Sequence, residues 1–68
     1  MADAIDRIVE RAIEHTRTIL ATRRSEWGAA RSGLLKIRAS LAERAPGHPA
    51  LDRLDAFVAE QDRLRAER

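Results

Sequence analysis

A short turn sequence, Pro46-Gly47-His48-Pro49, is the part of this chain that decides its fold. Glycine readily adopts the left-handed backbone that closes a helix, and proline lacks the N–H that would continue one. Pro49 suits the first turn of a new helix, where that missing N–H has no partner to lose. We therefore expect a turn over 46–49 and a helix C over about 49–66.

Apolar residues at spacings of three and four predict helices on both sides of this turn. Asp3 is a suitable N-cap for the first helix, and Asp6 can complete a variant of the capping box. We expect helix A over about 3–24 and helix B over about 26–45. The helix A stripe contains Ile5, Ile8, Val9, Ala12, Ile13, Thr16, Ile19 and Leu20; helix B has Trp27, Ala30, Leu34, Ile37, Leu41 and Ala45; helix C has Leu51, Leu54, Phe57, Val58 and Leu64.

The junction between helices A and B has two interpretations. At about 100° per residue, both stripes fall in the same sector of the helical wheel, and Arg23 alone interrupts it. This shared phase predicts one continuous helix and a long-armed antiparallel helical hairpin. Gly28 and Gly33, each unfavourable in a helix, and Ser25, a plausible N-cap, instead predict a break between Ser25 and Gly33. The resulting small three-helix bundle is favoured by the glycines and by ordinary helix lengths.

Size and composition predict a single all-α domain over 1–68 that is completed by oligomerisation or docking. A chain of 68 residues buries a modest core, and small domains usually need disulfides, a metal or a partner. The absence of cysteine excludes disulfides and thiolate metal sites. In the hairpin, helix C spans only about 27 Å and would leave the stripe of helix A bare. An apolar stripe of that length indicates a protein–protein contact.

The sequence therefore predicts a non-catalytic interaction or assembly protein, such as a homodimer, an adaptor or a small subunit of a larger complex. Its partner is another copy of the chain or a different protein. Helix A is the predicted contact, extended by arginine and tryptophan residues, which are enriched at interface hot spots. The predicted partner-binding residues are Ile5, Ile8, Val9, Ile13, Ile19, Leu20, Arg17, Arg24 and Trp27.

A row of arginines, Arg17, Arg24, Arg31 and Arg38, recurs every seven residues. Antiparallel packing across the Pro-Gly turn predicts ion pairs that join Arg38 to Asp55 and Arg31 to Asp62. Arg17 and Arg24 lack such partners on helix C and are the expected intermolecular contacts. The alternative is a small nucleic-acid-associated regulator that places phosphates along this row. The near balance of 13 basic and 11 acidic residues does not favour that alternative.

No catalytic, cofactor or metal motif is recognisable. His15 and His48 are the only histidines and lack the spacing of a paired metal site. Gly28 and Gly33 follow no predicted strand and so do not form a phosphate loop. We expect no enzyme activity, no cofactor, no metal and no small-molecule substrate.

The expected location is the cytoplasm. No stretch of the chain approaches 18 uncharged apolar residues, so no membrane span is expected. The polar face of helix A mixes acidic residues with arginines, so contact with an anionic membrane surface is not expected either. The first residues contain two aspartates and no apolar signal region. The preference for arginine over lysine, with Lys36 as the single lysine, is typical of a GC-rich bacterial source.

Overall fold

Three α-helices make up the fold in the computed structural model, which describes residues 3–66. They are α1 (Ala4–Thr22), α2 (Trp27–Arg44) and α3 (Pro49–Ala66), and one turn of 3-10 helix (Arg24–Glu26) precedes α2. No strand occurs among residues 3–66. The prediction of an all-α fold is confirmed, and the three-helix bundle is the correct form of it. In the same residues, no helix has the length and apolarity needed to cross a membrane.

Helices α2 and α3 run antiparallel. Trp27, at the start of α2, contacts Asp62 near the end of α3, whereas Arg38, later in α2, pairs with Asp55 in the first half of α3. The connection between them is the expected turn, in which Gly47 has φ 78° and Pro49 begins α3. Only glycine adopts that left-handed conformation without steric cost, so the turn depends on it.

Helices α1 and α3 run parallel to each other. Asp3 at the start of α1 contacts His48 at the start of α3, and one turn later Asp6 pairs with Arg53. The bundle is therefore up–down–up, with the N-termini of α1 and α3 at one end. Its extents of 35 × 19 × 19 Å fit helices of about 27 Å packed side by side.

The continuous helix expected from the shared phase of the stripes is wrong. The helical path ends at Arg23, whose φ of −136° and ψ of 84° leave the helical region, although its N–H still donates to Ile19. Gly28 and Gly33 both lie inside α2, so the break comes before the glycines that predicted it. Ending α1 here lets it fold back and bury its apolar stripe, which a straight arm would expose to water.

All three helices supply the core. From α1 come Val9 and Leu20, together with Thr16, whose hydroxyl donates to the Ala12 carbonyl at 2.8 Å. Ile5 and Ile13 are partly buried against this core. The remaining buried side chains are Trp27, Leu34, Leu41, Ala50, Leu51, Leu54, Phe57 and Val58. The apolar faces of the three helices therefore close on one another.

Two adjacent residues of α1 provide a test of this packing, because Val9 is fully buried while Ile8 is 39% exposed. We expect Val9→Ala to lower the free energy of unfolding by about 1–3 kcal/mol, since it removes buried methyl groups and leaves a cavity. Ile8→Ala should change it by less than about 1 kcal/mol. Urea unfolding monitored by circular dichroism measures both values. Equal losses would contradict the inward orientation of the stripe.

Candidate functional site

The residues predicted to bind a partner lie mostly inside the bundle. Val9, Leu20 and Trp27 are at least nine-tenths buried, and all three belong to the core. Ile5, Ile13 and Ile19 are half-buried. Because α2 and α3 cover the stripe of α1, these side chains do not form an outer face while the fold is intact. From the apolar part of the predicted set, Ile8 is the one residue that stays exposed.

The predicted ion pairs of the arginine row are confirmed. The Nε of Arg31 donates to both carboxylate oxygens of Asp62, at 3.0 and 3.2 Å. Arg38 contacts Asp55 with two hydrogen bonds, of 2.8 and 3.1 Å, and this carboxylate raises the pKa of Arg38. Half of the row is therefore occupied by internal contacts between α2 and α3.

Trp27 is both a core residue and the centre of a polar network. Its indole N–H donates to Asp62 at 2.9 Å, and its ring meets Phe57 edge-to-face at a centroid distance of 6.3 Å. The hydrogen bond from Trp27, followed by the one from Arg31, lowers the pKa of Asp62. Asp62 therefore holds the start of α2 against the end of α3.

An open groove lies beside Trp27, where the end of α1 and the 3-10 turn meet the end of α3. Its volume is about 820 Å³. Its floor is apolar, and Leu64 within it is 43% exposed. Arginines from α1, from the 3-10 turn and from α3 line its rim. The residues that line this end groove are Leu20, Trp27, Leu64, Arg17, Arg24 and Arg65, together with Ala21, Ser25 and Gln61.

Two of the rim arginines lie against aromatic rings. The guanidinium of Arg17 is 5.6 Å from the Phe57 centroid, and that of Arg65 is 5.3 Å from the Trp27 centroid. Among residues 3–66, Arg17 has no ion pair on α3, as expected, but Phe57 attracts it through a cation–π contact. The side chain of Arg24 makes no hydrogen bond, ion pair or ring contact within residues 3–66.

A second concave surface follows the outer face of α1 around Ile8. It is lined by one helix alone and mixes Arg7 and Arg11 with Glu10 and Glu14. Its charges largely cancel, and Glu10 already contacts Arg53 at 3.5 Å. The end groove differs from it in having walls from several elements and a rim of one charge.

A cluster of Asp3, Asp6 and His48 joins the two helix N-termini at the opposite end, with ligand-type atoms within 4.8 Å of one another. The Nδ1 of His48 accepts from the Ala50 N–H at 3.0 Å, so the proton lies on Nε2, which donates to Asp3 at 2.8 Å. His48 thus caps α3, as its place before Pro49 in the chain could have indicated.

The cap of α1 uses the same cluster. Asp3 accepts from the Asp6 N–H at 2.9 Å in the predicted capping box, and Asp6 also accepts from Arg53. The positive ends of two helix dipoles and the Arg53 guanidinium all favour anions here and disfavour a bound cation. The geometry therefore supports a structural latch between α1 and α3 more than a metal site.

The sequence did not indicate five residues of the end groove as candidates for an interaction site, namely Ala21, Ser25, Gln61, Leu64 and Arg65. The periodicity of helix C predicts an inward position for Leu64, which is wrong because this side chain is 43% exposed, and no pattern marks Arg65. The rim arginines come from different elements, so their meeting depends on how α1 folds back onto α3.

The latch predicts an acid-sensitive contribution to stability. The hydrogen bond from His48, followed by the one from the Asp6 N–H, lowers the pKa of Asp3. A carboxyl whose pKa is lower when folded stabilises the fold above its ordinary pKa and loses that effect as the pH falls through its folded pKa. Asp3→Asn keeps an N-cap acceptor but has no charge. The melting temperature of this variant should be lower than that of the wild type at pH 6, and the difference should become smaller below about pH 4.

Thermal unfolding by circular dichroism between pH 6 and pH 2 measures this difference. Glu43→Gln is the control, because Glu43 is exposed and has no ion pair within residues 3–66. It should follow the wild-type profile throughout. A deficit of Asp3→Asn that is independent of pH would contradict the role of the Asp3 charge.

No known protein family, no curated protein and no solved structure matches this chain.

Proposed function

We propose that this chain is a small, non-catalytic protein–protein interaction or assembly protein, an adaptor or a small subunit in the cytoplasm of a bacterial cell. The main support for this proposal is the composition of the end groove. It combines an exposed leucine and the edge of a tryptophan with arginines, the composition typical of interface hot spots. The docking surface is thus the C-terminal end of helix A and its surroundings, in place of the whole apolar stripe.

The engagement of the ionisable side chains supports a non-catalytic role. Both ring nitrogens of His48 are occupied in capping α3 and in contacting Asp3. Asp62 and Asp55 are bound to arginines between helices. A general base or nucleophile needs a free group in a cleft that excludes water, whereas the end groove is open to solvent and lined by arginines.

The ion pairs of α2 favour a protein partner over nucleic acid. A track for phosphates needs unpaired arginines at regular intervals, and Arg31 and Arg38 are held by carboxylates of α3. Arg17 and Arg24 remain from the row, and they lie beside an apolar floor. A small nucleic-acid-associated regulator is therefore the weaker alternative.

Site-specific photo-crosslinking tests the proposed function. A photoreactive amino acid replaces Ala21, an exposed residue in the groove wall, or Ala39, an exposed residue on α2 outside the groove. In the cells that make the protein, position 21 should give one discrete protein adduct and position 39 should not. The adduct partner, identified by mass spectrometry and purified, should bind the wild-type chain in light-scattering measurements of mass. Equal, diffuse adducts at both positions would argue against a docking function.

A further inference from the structure

The charges around the end groove have one sign. Its lining contains Arg17, Arg24 and Arg65 and no acidic side chain among the described residues. Glu14 approaches Arg17 at 3.5 Å, but both side chains are more than 60% exposed, so this pair is weak. The Asp62 side chain is 41% exposed, but it is outside the groove lining and is already bound by Trp27 and Arg31. The rim is therefore an anion-attracting surface.

Two of the rim arginines, Arg17 and Arg65, are held against aromatic rings before any ligand arrives. The Arg17 and Arg65 guanidinium groups lie over Phe57 and Trp27, and Arg65 also donates to Gln61 at 3.1 Å. A guanidinium carries five N–H donors, so N–H groups beyond those in these contacts remain for carboxylates. Arg24 lies between α1 and α2 with its side chain unpaired in residues 3–66. Side chains that are already held in place lose less conformational entropy when a ligand binds.

The floor between these arginines accepts an apolar side chain. Leu64 is 43% exposed, and Leu20 and Trp27 border it with small exposed edges. Covering Leu64 and the adjoining edges would remove apolar surface from water, whereas phosphate or sugar groups would leave that surface uncompensated. The floor thus requires a ligand with an apolar group as well as negative charge.

We infer that the end groove receives an acidic segment of another protein that carries at least one large apolar side chain. The carboxylates of that segment contact Arg17, Arg24 and Arg65, and its apolar side chain covers Leu64 beside Trp27. This inference rests on the proposed function and names the chemical class of its partner.

A second copy of the chain is the poorer occupant. A symmetric dimer built on this groove would place the same patch on both sides of the contact, so arginines would face arginines. Like charges brought together at an interface cost free energy, and the groove offers no carboxylate to offset them. The charge pattern therefore favours a different, acidic protein.

Selection from a random 12-residue peptide phage library on the immobilised protein tests this class of partner without assuming a sequence. Enriched peptides should share several acidic residues around one or two large apolar residues. A synthetic consensus peptide without tryptophan is then titrated while the emission of Trp27, the single tryptophan, is recorded. Saturable binding should alter that emission, because Trp27 lines the groove.

A charge-reversal pair locates the binding surface. Arg24→Glu should raise the Kd of the consensus peptide about tenfold, because it replaces an attractive charge with a repulsive one. Arg11→Glu makes the same change on an exposed part of α1 outside the end groove and should change the Kd by less than about twofold. Matching circular dichroism melts confirm that both variants are folded. Replacing the large apolar residue of the peptide by serine should also weaken binding about tenfold.

Four outcomes would overturn the inference. Equal effects of Arg24→Glu and Arg11→Glu would place the peptide elsewhere. A single-stranded dT20 probe that displaces the peptide with a steep salt dependence would assign the groove to phosphates. A consensus without acidic residues, with a partner still captured at position 21, would reject the acidic class and leave the interaction function standing. No enriched peptide and no captured partner would reject both.

Discussion

Burial of the α1 stripe against α2 and α3 is the constraint on which the rest of the structure depends. Val9 is completely buried and Leu20 nearly so, and they belong to one core with Leu54 and Phe57 of α3. Without α1, this face of α3 would lose its cover. Conversely, α1 alone would expose its isoleucines and valine to water, since a helix of this length draws most of its stability from tertiary packing.

The direction in which α1 folds back determines both ends of the bundle. Because α1 and α3 are parallel, their N-termini lie together, and the cap of one helix contacts the cap of the other through Asp3 and His48. Two positive helix ends and two capping side chains thus form a compact polar latch. At the opposite end, the same arrangement places Arg17 of α1 against Phe57 of α3 and opens a groove beside Trp27.

Trp27 links the core to the surface of this groove. Its indole N–H donates to Asp62, its ring packs against Phe57, and Arg65 lies over it. A large aromatic residue held at so many points is rigid, and rigid aromatic residues beside arginines form good anchors for a partner. One residue therefore stabilises the bundle and shapes the surface that we propose for docking.

Residue types and their spacing along the chain are enough to predict the local features of this protein. The turn at Pro46–Pro49, the capping box of Asp3 and Asp6, and the pairing of Arg38 with Asp55 and Arg31 with Asp62 follow from residue type and from a register that a short turn imposes. These features depend on neighbours in the chain or on one antiparallel contact between two helices. They can therefore be predicted from the periodicity and spacing of the sequence.

The tertiary structure alone decided what covers the apolar stripe of α1. Helical periodicity records which face of a helix is apolar, but the same periodicity suits a partner protein or the chain's own α3. In this protein α1 is covered by α2 and α3. The break at Arg23 and the end groove follow from this packing, because folding α1 back buries more apolar surface than a straight continuation of α1 into α2 could. Long-range burial of this kind leaves no local signal, and for this reason the stripe alone indicated a partner while the folded chain turns it inward.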